Sequence, residues 1–154
     1  MVEIKKISNF KQSEILGLKL VPLSQINDVR GSVLHMLRSD SEHFQEFGEI
    51  YFSEINPKQK KTWKKHIKMR QNFTVPVGKV LFKFYDDRKN SKSYGVKEKI
   101  LIGRPDNYNL LIVPPLVWYS FENIHEGFSL IANCSSIPHD PTETLKDIPD
   151  NFDF

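Results

Sequence analysis

Residues 73–85 read Phe-Thr-Val-Pro-Val-Gly-Lys-Val-Leu-Phe-Lys-Phe-Tyr, and they carry the clearest structural pattern in the chain. From Val80 to Phe84 every second residue is a large apolar one, which is the period expected of a β-strand with one buried face. Pro76 and Gly78 lie between the two halves of the segment and predict a bend there. The segment therefore predicts either two short strands or one strand that bends.

Similar apolar runs recur on both sides of this segment, separated by turn-forming residues. The runs cover residues 48–55, 99–103, 110–113, 117–121 and 128–133. Helical periodicity is weak throughout, and one short helix is expected over residues 39–47. Several short strands at this spacing predict an all-β sandwich or barrel.

The composition indicates one folded domain. The 154 residues are 39% hydrophobic and 12% aromatic, which is too apolar for a disordered chain. No apolar run approaches the length of about 18 residues that a membrane-spanning helix needs, and the N-terminus lacks the apolar core of a signal peptide. A single cysteine, Cys134, excludes an internal disulfide and a multi-thiolate metal site. We therefore expect a cytoplasmic protein with no membrane partner.

Positive charge is concentrated in residues 58–70, KQKKTWKKHIKMR, which contain no acid. The formal net charge of the whole chain is only +3. Such a local concentration of cations favours an anionic partner, although a solvated loop of lysines has the same composition. Nucleic acid is not the expected partner, because the sequence carries neither a recognition helix nor a zinc finger.

Two further motifs have the spacing of a metal site but not its residue types. In the first, Lys64-x-His66 is followed by Gln71; in the second, Pro114 is followed by Tyr119. This spacing resembles the two signatures of the cupin superfamily, a jelly-roll β-barrel whose metal-binding members use three imidazoles and one carboxylate. A protonated ammonium cannot coordinate a metal, and an uncharged amide is a poor ligand. We therefore expect no metal, in a barrel whose mouth is lined by Lys64, His66, Gln71 and Tyr119.

Within the cupins, the sequence resembles the dTDP-4-dehydrorhamnose 3,5-epimerases of nucleotide-sugar biosynthesis. The motifs that carry this resemblance follow the same order as in that family. They are Asp28-Val-Arg30-Gly31, Phe52-Ser-Glu-Ile-Asn56, Tyr85-Asp-Asp-Arg88 with Ser91 and Ser93-Tyr94-Gly95, and Val113-Pro-Pro-Leu-Val-Trp-Tyr-Ser-Phe121. The resemblance implies a single cupin domain over residues 1–154, with a barrel core at about 28–135 and a C-terminal tail at 136–154.

The resemblance also implies a reaction. In that family a ketone at C4 of the sugar acidifies the neighbouring C–H bonds, a base removes one proton, and an acid returns a proton to the other face. His66 falls where the family keeps its catalytic histidine, and imidazole suits this step because its unperturbed pKa lies near working pH. We therefore expect an isomerase that acts on a dTDP-linked 4-keto-6-deoxy sugar without a cofactor. The family also implies a homodimer formed through exchanged N-terminal strands.

The same resemblance assigns roles to further residues. Tyr119 projects toward the same mouth as His66, and Asp147 takes the place of the acid that orients the catalytic histidine. The expected substrate-binding residues are Arg30, Glu54, Asn56, Lys64, Lys68, Gln71, Arg88, Trp118, Asn133 and His139. Several have structural alternatives, which are ion pairs for the two arginines, packing for Trp118 and a satisfied core amide for Asn133.

One position departs from the family and leaves the reaction open. The family's general acid is a tyrosine that corresponds to Ala132 here, and alanine has no proton to donate. Tyr119 could replace it, as could His139 if the tail folds over the opening. A single-site epimerase or a ketoisomerase would tolerate the change better than a double epimerase. The alternative is a sugar-nucleotide-binding cupin without catalytic activity.

Overall fold

The computed structural model describes residues 12–146 and residue 154. In this part of the chain the regular structure is β-strand except for one 3-10 turn at Pro141–Glu143, and no helix is long and apolar enough to span a membrane. The strands are β1 (Lys19–Pro22), β2 (Gln25–Asp28), β3 (Gly31–Leu34), β4 (Glu49–Ile55), β5 (Lys60–His66), β6 (Gln71–Val77), β7 (Lys79–Asp86), β8 (Lys97–Gly103), β9 (Asn109–Val113), β10 (Val117–Asn123), β11 (Ser129–Ser135) and β12 (Thr144–Leu145).

Two antiparallel five-stranded sheets enclose the core. The first sheet has the strand order β1-β9-β6-β11-β4, the second has the order β12-β5-β10-β7-β8, and β2 and β3 form a separate hairpin. Aromatic rings join the sheets: Phe73 on β6 lies 5.4 Å from Phe82 on β7 and 6.3 Å from Phe121 on β10, measured between ring centres. The architecture is the all-β sandwich that the strand spacing predicts.

The segment with the strongest sequence pattern folds as two strands. Residues 73–85 lie in β6 and β7, and Gly78 forms the turn between them with a φ of +82°, a conformation that favours glycine. A Cβ atom at this position would lie 2.8 Å from Cα of Ser129. Val80 and Phe84 are fully buried, as their alternation predicts.

The basic segment 58–70 is a strand over most of its length, although its lysines gave no apolar alternation. This strand, β5, lies between β12 and β10. Its residues alternate between the two faces of the sheet, so Lys64 and His66 face the interior and Lys65 faces outward. On the outer face the Lys65 ammonium pairs with the Asp87 carboxylate at 2.8 Å.

The prediction of a helix over residues 39–47 is wrong. The segment forms separate turns instead, in which the backbone N–H groups of Ser41 and Phe44 each donate to the C=O three residues earlier. Two side chains from distant parts of the chain bond the backbone in this segment and just before it. The Tyr108 hydroxyl donates to the C=O of His35, and the Arg70 guanidinium donates to the C=O of His43. These tertiary hydrogen bonds outweigh the weak local helical preference.

Asp86, at the end of β7, is a fully buried carboxylate that organises the loop before β8. It accepts hydrogen bonds from the Arg88 guanidinium at 2.7 and 2.8 Å and from the hydroxyls of Ser91 and Ser93. Burial alone would raise the pKa of Asp86, but these donors hold it well below its usual range. Arg88 also donates to the C=O of Leu16, which fastens the segment before β1 to this loop.

We expect Asp86→Asn to lower the free energy of unfolding by on the order of 3 kcal/mol, because the Arg88 charge loses its buried partner. The matched control is Asp40→Asn, because Asp40 and Arg38 form an ion pair in full contact with solvent, which contributes little to stability. Urea unfolding of both variants at neutral pH measures the difference. Equal losses in the two variants would contradict the role given to Asp86.

Candidate active site

Five of the predicted site residues come together at one end of the space between the two sheets. Lys64 and His66 lie on β5 and Tyr119 on β10, so the second sheet supplies these three. Gln71 on β6 and Asn133 on β11 come from the first sheet. His66 is the last residue of β5 and Gln71 the first of β6, so a short loop holds both at the same end of the sandwich.

His66 and Tyr119 are joined by a hydrogen bond of 2.9 Å between the imidazole Nε2 and the phenol oxygen. Both side chains are buried, with 7% and 1% of their surface exposed. The second ring nitrogen, Nδ1, lies 3.3 Å from the hydroxyl of Thr144 on β12. Burial raises the pKa of Tyr119 well above its usual value, so the hydroxyl keeps its proton at neutral pH. The imidazole is therefore oriented through both of its nitrogens.

The surroundings of His66 favour the neutral imidazole. Burial lowers its pKa, the charge of Lys64 lowers it further, the carboxylate of Glu143 opposes them, and His139 adds to the lowering. The resulting pKa is about 4. At neutral pH the ring is therefore uncharged and has a lone pair that can accept a proton.

Lys64 places a positive charge beside this pair. Its Nζ lies 5.6 Å from the centre of the Tyr119 ring. Burial lowers the pKa of Lys64, and the charges of Lys61 and Lys146 lower it further. An ammonium in a half-buried position can bind an oxygen that becomes negative during a reaction.

A second set of hydrogen bonds lies on the first sheet. Asn133 faces Tyr51 across the β11–β4 pair, and its Nδ2 donates to the Tyr51 hydroxyl at 2.8 Å and to Oε1 of Gln71. The backbone N–H of Asn72 donates to Oδ1 of Asn133 at 3.2 Å, which fixes the end of the amide that carries the nitrogen. Nε2 of Gln71 is buried and has no hydrogen-bond partner among the described residues.

Tyr51 was missed by the sequence reasoning, which selected Glu54 on the same strand. Tyr51 and Ser53 lie on the partly buried face of β4, whereas Glu54 is exposed on the opposite face. Residues three apart point to opposite sides of a strand, so Glu54 and Tyr51 cannot both face the His66 cluster. The alternation between residues 49 and 55 gave no signal for Tyr51, because its apolar members Ile50 and Phe52 lie on the exposed face.

The C-terminal tail returns to the site through Glu143 and Thr144, which the sequence reasoning also missed. Glu143 is buried, and its carboxylate accepts hydrogen bonds from the backbone N–H groups of Lys68 and Met69. Thr144 pairs with His66 in the β12–β5 ladder. The polar, proline-rich composition of this segment gave no sign of these contacts, because they depend on where the tail folds back.

Three predicted binding residues lie away from the cluster. Asn56 is exposed in the turn between β4 and β5, at the opposite end of β5 from His66. Arg30 is exposed at the tip of the β2–β3 hairpin, where it pairs with Asp28. Trp118 lies on the outer side of the second sheet, and its indole N–H donates to Asp87 at 2.8 Å.

The other predicted residues have different surroundings. Arg88 has the structural alternative, an ion pair with Asp86. The side chains of Lys68 and His139 are exposed, although His139 is close enough to His66 to affect its pKa. Asp147 lies outside the described residues. Ala132 alternates with Ile131 of the core and with Asn133, so its methyl group faces away from the site.

The chemistry of the cluster is that of proton transfer. Within residues 12–146 and 154, no three His, Cys, Asp or Glu side chains are grouped so that they could hold a metal ion. His66 is accompanied by an ammonium, two phenols and two amides, which are not a usual set of metal ligands. A neutral base, a half-buried cation and hydrogen-bond donors on the inner faces of the two sheets suit the removal and return of a proton beside a carbonyl group.

A groove of about 620 Å³ lies elsewhere, between residues 14–25, β8 and residues 105–109. Its lining includes Lys97, Lys99 and Tyr108 but no member of the His66 cluster. Among the described residues, no histidine lines this groove. The candidate chemistry therefore belongs to the His66 cluster.

No protein-family model matches the chain. Among solved structures, the dTDP sugar isomerase of Desulfovibrio desulfuricans G20 is 46% identical, with a TM-score of 0.86 over 89% of this chain and 87% of that one. Among curated proteins, the probable low-salt glycan biosynthesis epimerase Agl13 of Haloferax volcanii is 30% identical over 112 residues, 71% of each chain. The spore coat polysaccharide biosynthesis protein SpsL of Bacillus subtilis is 26% identical over 127 residues, 82% of this chain and 83% of that one.

The first two of these matches are close enough, over enough of both proteins, to show common descent. One of the matched proteins is described as a dTDP sugar isomerase and the other as a probable epimerase of glycan biosynthesis. The resemblance found in the sequence is confirmed, as is the all-β jelly-roll fold. The chain belongs to the cupin-fold family of dTDP-sugar epimerases and isomerases.

Proposed function

We propose that this protein is an epimerase or isomerase of a dTDP-linked 4-keto-6-deoxy sugar, with His66 as the base that removes a proton beside the ketone. The observation that carries the proposal is the buried, neutral imidazole of His66, held at 2.9 Å by Tyr119 between the two sheets. Membership of a family of sugar epimerases and isomerases supports the reaction class.

The proposed step needs a base that is unprotonated at neutral pH. A ketone withdraws electrons from the adjacent C–H bond, so a proton removed there leaves an enolate. His66 is able to take this proton because its low pKa leaves it uncharged. The contact between His66 Nδ1 and the Thr144 hydroxyl fixes the orientation of the imidazole ring while the ring gains a positive charge. Positioned acid–base catalysis of this kind typically contributes about 10² to 10⁴ in rate.

Lys64 is the proposed partner of the enolate oxygen. Its ammonium lies over the Tyr119 ring, within the same cluster as the base. Stabilising a negative oxygen in a partly buried site is usually a large part of enzymatic rate enhancement. Arg30 and Lys68 are exposed cations and remain our predictions for contacts with the diphosphate.

We expect His66→Asn to abolish proton exchange, with a fall of at least about 10² in rate, because asparagine keeps the size of the side chain but is no base. The measurement is NMR of a dTDP-4-keto-6-deoxy sugar in D₂O, which follows deuterium incorporation at C3 and C5. The matched control is His125→Asn, because His125 is exposed in the turn between β10 and β11. If the wild-type protein binds dTDP-sugars without any proton exchange, the enzymatic proposal is refuted. The protein would then be a sugar-nucleotide-binding cupin without catalytic activity.

The pH dependence of the exchange reports the state of His66. Because the pKa of His66 is lowered to about 4, the base stays active as the pH falls through 6 and loses activity only near pH 4. Lys64→Gln removes a positive charge that lowers this pKa, so the acid limb of kcat/KM shifts to higher pH. An acid limb near 6.5 in the wild-type enzyme would contradict the buried, neutral state.

We also propose that the protein is a homodimer and that its N-terminal region forms the interface. Ile26 and Val33 on the β2–β3 hairpin are 57% and 60% exposed, and Val29 at its tip is fully exposed. Apolar side chains on one exposed hairpin mark a contact surface. We expect light scattering to give a dimer mass for the wild type and a monomer mass for the double variant Ile26→Lys and Val33→Lys. The control is Ile124→Lys, a comparable exposed position outside the hairpin; a monomeric wild type would refute the proposal.

A further inference from the structure

We propose that Tyr51 is the acid that returns the proton to the sugar, and that Asn133 is the positioning residue that aims its hydroxyl. The inference deepens the proposed function and rests on it, since it chooses inversion of a carbon centre as the outcome of the reaction. The family's acid corresponds to Ala132, and the inference assigns its role to a residue on a different strand of the same sheet.

The direction of the hydrogen bonds around Asn133 follows from its neighbours. The backbone N–H of Asn72 can only donate, so the atom of Asn133 that it meets at 3.2 Å is the carbonyl Oδ1. The other atom is therefore Nδ2, whose two hydrogens are directed to Gln71 Oε1 and to the Tyr51 oxygen, the latter at 2.8 Å. Both donors of the amide are used, and the orientation of the amide is fixed.

This arrangement leaves the hydrogen of the Tyr51 hydroxyl available. Tyr51 accepts from Asn133, so its own O–H points elsewhere, and among the described residues it meets no acceptor. Burial raises the pKa of Tyr51 even though the Asn133 hydrogen bond opposes the shift, so the phenol is protonated at neutral pH. The side chain is half-buried, which leaves it a way to reach a ligand.

A second donor beside Tyr51 indicates that this wall is built for a ligand oxygen. Gln71 is 1% exposed, and its Oε1 is occupied by Asn133, yet its Nε2 has no partner among the described residues. A buried amide nitrogen without a hydrogen-bond partner destabilises the protein unless something accepts its hydrogens. A sugar hydroxyl or carbonyl between the sheets would satisfy it and would lie next to the Tyr51 hydroxyl.

Tyr51 and Tyr119 lie on opposite sheets, and inversion requires an acid on the sheet that faces the base. Tyr119 lies on β10 in the same sheet as His66 and is hydrogen-bonded to it, so it is on the same side of the sugar as the proposed base. Tyr51 lies on β4 in the facing sheet. A sugar between the sheets therefore presents one face to His66 and the other to Tyr51, which is the arrangement that returns a proton to the opposite face.

The step balances without a further reactant. The unprotonated ring nitrogen of His66 accepts the proton as the C–H bond breaks, in place of the hydrogen bond that this nitrogen makes in the free protein, and the electron pair of the C–H bond becomes the enolate. The Tyr51 O–H bond then breaks, its proton forms the new C–H bond on the other face, and a tyrosinate remains. Water takes the proton from the imidazolium and another water returns one to the tyrosinate, so both groups are restored.

The test separates proton removal from inversion by following both in one sample. In D₂O, Tyr51→Phe retains His66 and should still exchange the C–H proton of the starting sugar, while formation of the inverted sugar falls by at least about 10² relative to that exchange. The ratio of the two rates does not depend on how much of the variant is folded. Tyr94→Phe, which removes an exposed hydroxyl, is the matched control and should leave the ratio unchanged.

Asn133→Leu tests the positioning role, since leucine has a similar size but cannot donate to Tyr51. We expect the ratio of inversion to exchange to fall by at least about tenfold, whereas a residue that only supports the fold would lower both rates together. An unchanged ratio in Tyr51→Phe, or equal loss of both rates, overturns the assignment of the acid. Wild-type exchange without inversion also overturns it but leaves His66 as the base, whereas no wild-type exchange refutes the proposed function itself.

Discussion

The packing of two antiparallel sheets over one aromatic core is the constraint on which the rest of this structure depends. Phe73 from the first sheet contacts Phe82 and Phe121 of the second, and Tyr119 continues this layer with its ring 5.5 Å from that of Phe73. Beyond Tyr119 the interior becomes polar, because Lys64 and His66 enter from β5. The site is thus an extension of the core, and the same packing that stabilises the fold also removes water from the imidazole.

That burial explains the electrostatics of the site. Taking an ionisable group out of water favours its uncharged form, so the pKa of His66 falls to about 4 and that of Tyr119 rises. The C-terminal tail opposes this lowering of the His66 pKa. Glu143 binds the loop after β5 through two backbone N–H groups, and its carboxylate lies near the imidazole. The Lys64 cation therefore disfavours protonation of the imidazole and the Glu143 anion favours it. Burial is the largest effect, and it favours the neutral imidazole.

Sequence patterns predicted what depends on local periodicity. The alternation through Phe82 defined β7, and the spacing from His66 to Gln71 placed both residues at the mouth of the sandwich. Properties that depend on distant parts of the chain could not be found in this way. The lysines of β5 gave no strand pattern, and the two strands that pair with β5 lie far away in sequence. The inward orientation of Tyr51 likewise depends on which face of β4 packs against the second sheet.

In the mechanism that we propose, the departure at Ala132 moves the proton donor to another strand of the same sheet. What inversion requires is a base on one wall and a proton donor on the facing wall, and every strand of a sheet contributes alternate side chains to that wall. Ala132 faces outward, but its neighbour Asn133 points inward and lies opposite Tyr51 on β4. A donor lost from one strand can therefore be supplied by the next strand of the same sheet, provided that an amide such as Asn133 fixes the direction of its hydrogen. The proton donor must lie on the inner face of the first sheet and must have its hydrogen directed by a hydrogen bond. It need not occupy one fixed position in the sequence.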